Sequence, residues 1–138
     1  MSYIGISPKR SIKMKELKTL AIQLLEWNKE NLKASTTLFE SDLATCFADE
    51  FVVKANGLEY KANHHSYLEF LNGFKANIES ICYKVQEYLC DADKVVTVMS
   101  AKVRRIDGSI EAFEAMLLLK FDENDLITLW QEVYAKKI

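Results

Sequence analysis

Residues 117–134 read LLLKFDENDLITLWQEVY. Two apolar runs flank Asp122, Glu123, Asn124 and Asp125, a cluster of turn-formers, so the stretch reads as two strands joined by a tight turn. In the second strand a period of two places Ile127, Leu129 and Val133 on one face, and Trp130 and Tyr134 on the other, with Glu132 between the two rings. In the first, Phe113, Ala115, Leu117, Leu119 and Phe121 share a face, yet Met116 and Leu118 lie opposite. An antiparallel sheet covered by helices on one side alternates apolar with polar. Here both faces want burial, so the uncovered face is expected to meet a second copy of the chain.

Working outward, the same period runs through SICYKVQEYLC, KVVTVMSAKVRRI and SIEAFEAMLLLKF, with turns at Asp91 to Asp93 and at Asp107-Gly108. Four long strands in succession predict an antiparallel meander. Before them, EFVVKANGLEYKA carries β-branched and aromatic residues on both sides of Asn56-Gly57, the dipeptide of a tight hairpin turn. Asn63 is placed to cap a helix in which Tyr67, Phe70 or Leu71, Phe74 and Ile78 recur at helical spacing. Near the start, Leu17, Leu20, Ala21, Leu24, Leu25 and then Trp27 or Asn28 predict one long amphipathic helix from about residue 12 to 33. A capping box of Thr37 and Glu40 opens a second helix carried by Leu38, Leu43 and Phe47. The fold class is α+β, in one domain over residues 1–138, with residues 1–11 expected to form a loosely ordered N-terminal tail.

At 138 residues, 49% hydrophobic and 28% charged, the chain suits a globular core rather than disorder. Eighteen basic and twenty acidic residues leave a formal charge of -2, which argues against nucleic-acid or membrane-surface partners. The basic excess of SPKRSIKMKELK falls where the first helix begins and reads as a solvated face. Cys46, Cys82 and Cys90 are odd in number and have no zinc-like spacing to His64 or His65, so no metal or cofactor is expected, and reduced thiols point to a cytoplasmic protein. No segment approaches the roughly 20 apolar residues of a membrane span.

The order of elements, together with LATCFADEFVV, SYLEFLNGF and LLLKFDENDLITLWQEVY, resembles the nuclear transport factor 2-like superfamily, in its SnoaL-like and ketosteroid isomerase-like branch, over about Leu17 to Tyr134. The resemblance implies a cone: a curved antiparallel sheet wrapped around a long helix, an apolar pocket open at one end, and a homodimer through the outer sheet face. The catalytic pattern of the ketosteroid isomerases does not carry over. The place of its base is Ala55, that of its oxyanion-holding aspartate is Leu117, and near its first-helix tyrosine there is only Trp27.

If the last strands keep the family's parity, Glu132 is an acid within an aromatic pocket, where loss of water raises its pKa and suits it to general acid or base work. The alternative is a rim position, or a pairing with Lys102, Arg104 or Arg105 on a neighbouring strand. His64 and His65 open the third helix, whose positive end favours a neutral base at the pocket mouth, though a solvated first turn is the commoner place for such residues. Tyr60 and Tyr83 are candidates to orient a ligand carbonyl, or are core aromatics. Trp27, Phe74, Leu117, Trp130 and Tyr134 complete the expected wall. Two functions follow. One is binding of a small apolar, ring-containing molecule, with isomerase, cyclase or dehydratase chemistry by proton transfer. The other is a homodimeric protein-interaction module whose cone is plugged by Trp27, Phe74 and Trp130.

Overall fold

The computed structural model describes residues 8–137, with side chains from Met14 onward. Nine elements follow in the order α1 (Pro8–Asn31), α2 (Glu40–Ala44), β1 (Phe47–Ala55), β2 (Leu58–Asn63), α3 (His64–Lys75), β3 (Ile78–Asp91), β4 (Lys94–Arg105), β5 (Ile110–Phe121) and β6 (Ile127–Lys136). The strands form one six-stranded sheet in the order β2-β1-β6-β5-β4-β3. β3 to β6 are the expected antiparallel meander. The β1–β2 hairpin turns on Asn56 and Gly57 at φ of 48° and 89°, the left-handed pair that such a turn requires.

One pairing departs from the expected all-antiparallel sheet. β1 lies parallel to β6, which makes the sheet mixed. The reason is topological: β6 returns between β5 and the β1–β2 hairpin, running in the same direction as β1. Register breaks in β1 and at two places in β3 supply the extra residues that bend strands into a curved sheet.

α1 packs across β3 and β4 on the concave face. Leu17, Ala21, Leu24, Leu25 and Asn28, all buried, form its inward stripe, and Leu32, just past its end, is buried too. The alternative left open between Trp27 and Asn28 is therefore resolved in favour of Asn28. The helix also begins earlier than its apolar pattern indicates, with Pro8 at its first position, where a missing N–H costs nothing. Of the expected loose tail at residues 1–11, residues 1–7 lie outside the described residues. The second helix is a single short turn, and its predicted capping box does not form: the Asp42 carboxylate accepts from the Phe39 backbone N–H at 2.8 Å instead. Phe47 belongs to β1, because its ring finds Phe51, Tyr67 and Trp130 there. α3 is capped as expected, Asn63 Oδ1 accepting from Ser66 N at 2.8 Å.

Lys75, at the end of α3, is buried, and its ammonium donates to the backbone oxygens of Lys33 and Thr36. It thereby holds the α1–α2 connection against α3. Lys75→Met keeps most of the stem but orphans both carbonyls, and is expected to cost about 1–3 kcal/mol in urea unfolding. An unchanged midpoint would show that the ammonium does not secure this loop.

Candidate functional site

The concave side of the sheet is not filled. A cavity of about 450 Å³ opens between α1, α3, the hairpin and β6, with Tyr60, Tyr67, Phe70, Phe74, Trp130 and Glu132 on its wall. A smaller space of about 130 Å³ adjoins it toward β4 and β5 and shares Phe74, Tyr83 and Glu132 with it. The larger volume falls within the roughly 300–1,000 Å³ of drug-sized sites.

Glu132 sits at the junction. On the sheet it lies between Ala55 of β1 and Leu117 of β5, the two places at which the resemblance would put catalytic carboxylates. The one acid is thus on the strand between the two expected positions. Burial pushes its carboxyl above the usual range, and a hydrogen bond from the neighbouring Trp130 side chain offsets part of the rise. Asn56 fixes the backbone on both sides of it: Asn56 N donates to Glu132 O and Tyr134 N donates to Asn56 Oδ1, both at 2.9 Å. The sequence marks Asn56 only as a turn residue.

Phenols surround the acid. Tyr83 Oη accepts from Asn28 Nδ2 at 3.4 Å, and burial first of all pushes this phenol up to about 12. Tyr67 is driven well above its ordinary value, again chiefly by burial. Tyr60, pushed up to about 12 by burial, has a buried Oη with no hydrogen-bond partner in the protein. All three phenols therefore keep their protons at neutral pH, and Tyr60 has a donor to spend on a polar atom in the cavity. Tyr67, Phe70 and Phe74 stack in a ladder with interplanar angles of 9° and 11°, leaving Phe70 and Phe74 half exposed at the opening.

The remaining expected site residues scatter. His64 Nε2 lies 2.9 Å from Phe47 O, and since a carbonyl only accepts, this nitrogen carries the proton and is engaged away from the cavity. His65 is exposed between Glu40 and Glu69, at 3.5 and 3.4 Å. Neither histidine lines the cone. Trp27 walls a separate space of about 170 Å³ with Cys46 and Phe121. Leu117 is fully buried in the core rather than on the cavity surface. Tyr134 stands at the rim with Phe113, their rings edge to face at 5.8 Å. Sequence reasoning missed Asn28 and Tyr67 as lining residues. An amide recurring on the apolar stripe of a helix was the available signal for the first. Among the described residues no cluster of metal ligands occurs, and no helix is long and apolar enough to cross a membrane.

No protein-family model and no curated protein matches the sequence. Solved structures do match the chain's shape. A nuclear transport factor 2-like protein from Anabaena variabilis aligns at a TM-score of 0.71 and 12% identity, over 88% of this chain and 90% of that one. A protein assigned as a SnoaL-like polyketide cyclase from Shewanella denitrificans aligns at 0.70 and 16% identity, over 86% and 89%. An LEH-like epoxide hydrolase of M. tuberculosis aligns at 0.63 and 16%, over 85% and 84%. The chain has the nuclear transport factor 2-like fold, as an α+β cone.

Proposed function

We propose that the protein binds a small apolar, ring-containing molecule in the cone and acts on it by proton transfer, as an isomerase, cyclase or dehydratase that needs no cofactor. The observation that carries this reading is the cavity itself: about 450 Å³ walled by aliphatic and aromatic side chains and holding one buried carboxyl and one unpartnered phenol. Glu132 takes a proton from a carbon next to a ligand carbonyl, Tyr60 Oη donates to the carbonyl oxygen as it gains charge, and Glu132 returns the proton elsewhere on the ligand. A carboxyl raised by burial is a better-matched base near neutral pH than an ordinary one. Polyketide cyclase and epoxide hydrolase assignments among proteins of the same fold support a catalytic use of such a cone. A cone plugged by Trp27, Phe74 and Trp130 would have favoured the interaction-module alternative, but Trp27 lies outside it and a cavity remains.

The test uses 2-tetralone in deuterated buffer, following exchange of its acidic C–H by nuclear magnetic resonance. The wild type is expected to accelerate exchange, and Glu132→Gln to lose about 10²–10⁴ of that rate. Equal rates with the two proteins would sink the proton-transfer reading.

The acid also leaves a signature in stability. Burial makes the folded chain hold the Glu132 proton more tightly than the unfolded chain does. Its contribution to stability therefore falls as pH rises above the ordinary carboxylate range, and Glu132→Gln abolishes that fall. Unfolding free energies of the two proteins should converge at about pH 4 and diverge above it in favour of the variant. The lowered carboxyls of Asp107, Glu111 and Glu114 act in the opposite sense but are common to both proteins. Parallel curves across this range would contradict the buried acid.

A homodimer through the outer sheet face belongs to the same proposal. Val98, Met116 and Val133 are aligned neighbours across β4, β5 and β6, and Met116 and Val133 are 57% and 61% exposed. Leu89, Val96 and Leu118 form a second such row beside them.

A further inference from the structure

We propose that the cone's ligand is an amphipathic anion, an apolar ring system bearing a carboxylate that Arg105 receives at the rim. This rests on the ligand-binding reading above and specifies its chemistry. The inward row of β4, Val95, Thr97, Met99, Ala101 and Val103, carries no charge until its last residue, Arg105. That arginine lines the same space as Glu132, Phe113 and Tyr134, with its side chain 21% exposed. An arginine ending an uncharged row inside a cavity wall is out of keeping with a purely hydrocarbon ligand.

Its existing partners leave capacity. Nε donates to Glu111 Oε1 at 2.7 Å, and one terminal nitrogen donates to Asn77 Oδ1 at 2.9 Å. A guanidinium has five N–H donors in a planar fork, so these two bonds hold the plane in place and leave donors for a second carboxylate. Glu111 is shared, its other oxygen lying 3.1 Å from Lys136 Nζ, so the arginine does not hold that acid alone. Asp107, the other acid acting on Arg105, is turned toward Ser109, whose N and Oγ lie 2.9 and 2.6 Å from its Oδ1. Among the described residues lining the cone, Glu132 is the one carboxyl, and an anionic head would avoid it. The ligand's polarity is thereby set: ring toward Trp130 and the phenols, acid toward Arg105.

Isothermal titration calorimetry with 2-naphthaleneacetate and 2-naphthaleneethanol, which share a ring and differ in the head group, tests this. The acid is expected to bind about tenfold more tightly than the alcohol, in line with a charge-assisted hydrogen-bonded pair. Arg105→Gln should erase that preference while leaving the alcohol's affinity in place. Glu111→Gln, which frees the guanidinium from its competing acid, should strengthen the acid's binding several-fold. This second variant keeps Arg105, so its readout stands even where Arg105→Gln fails to fold. Equal affinities in the wild type, a preference that survives in Arg105→Gln, or an acid affinity unmoved by Glu111→Gln each overturn the proposal and leave the pocket reading intact. Failure of both compounds to bind at millimolar concentration overturns the pocket reading, and the anion proposal with it.

Discussion

Phe47→Ala is expected to remove about 3–5 kcal/mol of stability, the range for truncating a buried phenylalanine. Phe47 is 1% exposed and its ring lies 4.7, 5.1 and 6.4 Å from the rings of Phe51, Tyr67 and Trp130. It joins β1, α3 and β6 at one point, and its own carbonyl accepts from His64. Collapse around the lost ring would require these three elements to move together, so the cavity left behind stays largely open. Against a total stability of about 5–15 kcal/mol for a domain, such a loss brings the protein close to unfolding at room temperature. Urea titration followed by tryptophan fluorescence measures it. A loss below about 1 kcal/mol would mean that the aromatic cluster is not the keystone of this end of the sheet.

The second large effect concerns the proposed dimer. In an isologous contact each substitution occurs twice, so Met116→Glu with Val133→Glu places four carboxylates in a formerly apolar patch. An unpaired charge in such a patch costs several kcal/mol, and the dissociation constant should rise by at least about 100-fold. Sedimentation at micromolar concentration is expected to show a dimer for the wild type and a folded monomer for the double variant. A soluble wild-type monomer, with Met116, Leu118 and Leu129 exposed, would end the dimer proposal. The variant carries its changes on the convex face, so binding of ring compounds in the cone should survive it.

The candidate site was partly legible before the fold was known. Period-two reading of ITLWQEVY put Glu132 on the same face as Trp130 and Tyr134, and all three do line the concave side. Parity is a local property of a strand, so no tertiary information was needed to find it. The histidines misled, because a helix N-terminus offers a plausible electrostatic setting for a base whichever way the ring turns. The hydrogen bond from His64 to Phe47, 17 residues away in the chain, is invisible to local reasoning. Trp27 misled for a related reason. Adjacent positions on a helix differ by about 100° in direction, and only the docking of α1 on β3 chose Asn28 for the inside.

What the amino-acid sequence determined by itself is local: the four-stranded meander from its period and turns, the Asn56-Gly57 hairpin, the Asn63 cap, and a sheet apolar on both faces. Each follows from interactions within a few residues of the chain. The tertiary structure alone decided that β1 runs parallel to β6, that Glu132 lies between Ala55 and Leu117, and that Arg105 meets it across one cavity. Those relations join segments tens of residues apart, and they are set by how a curved sheet closes around a helix, where side-chain volume and strand order jointly fix which space remains open.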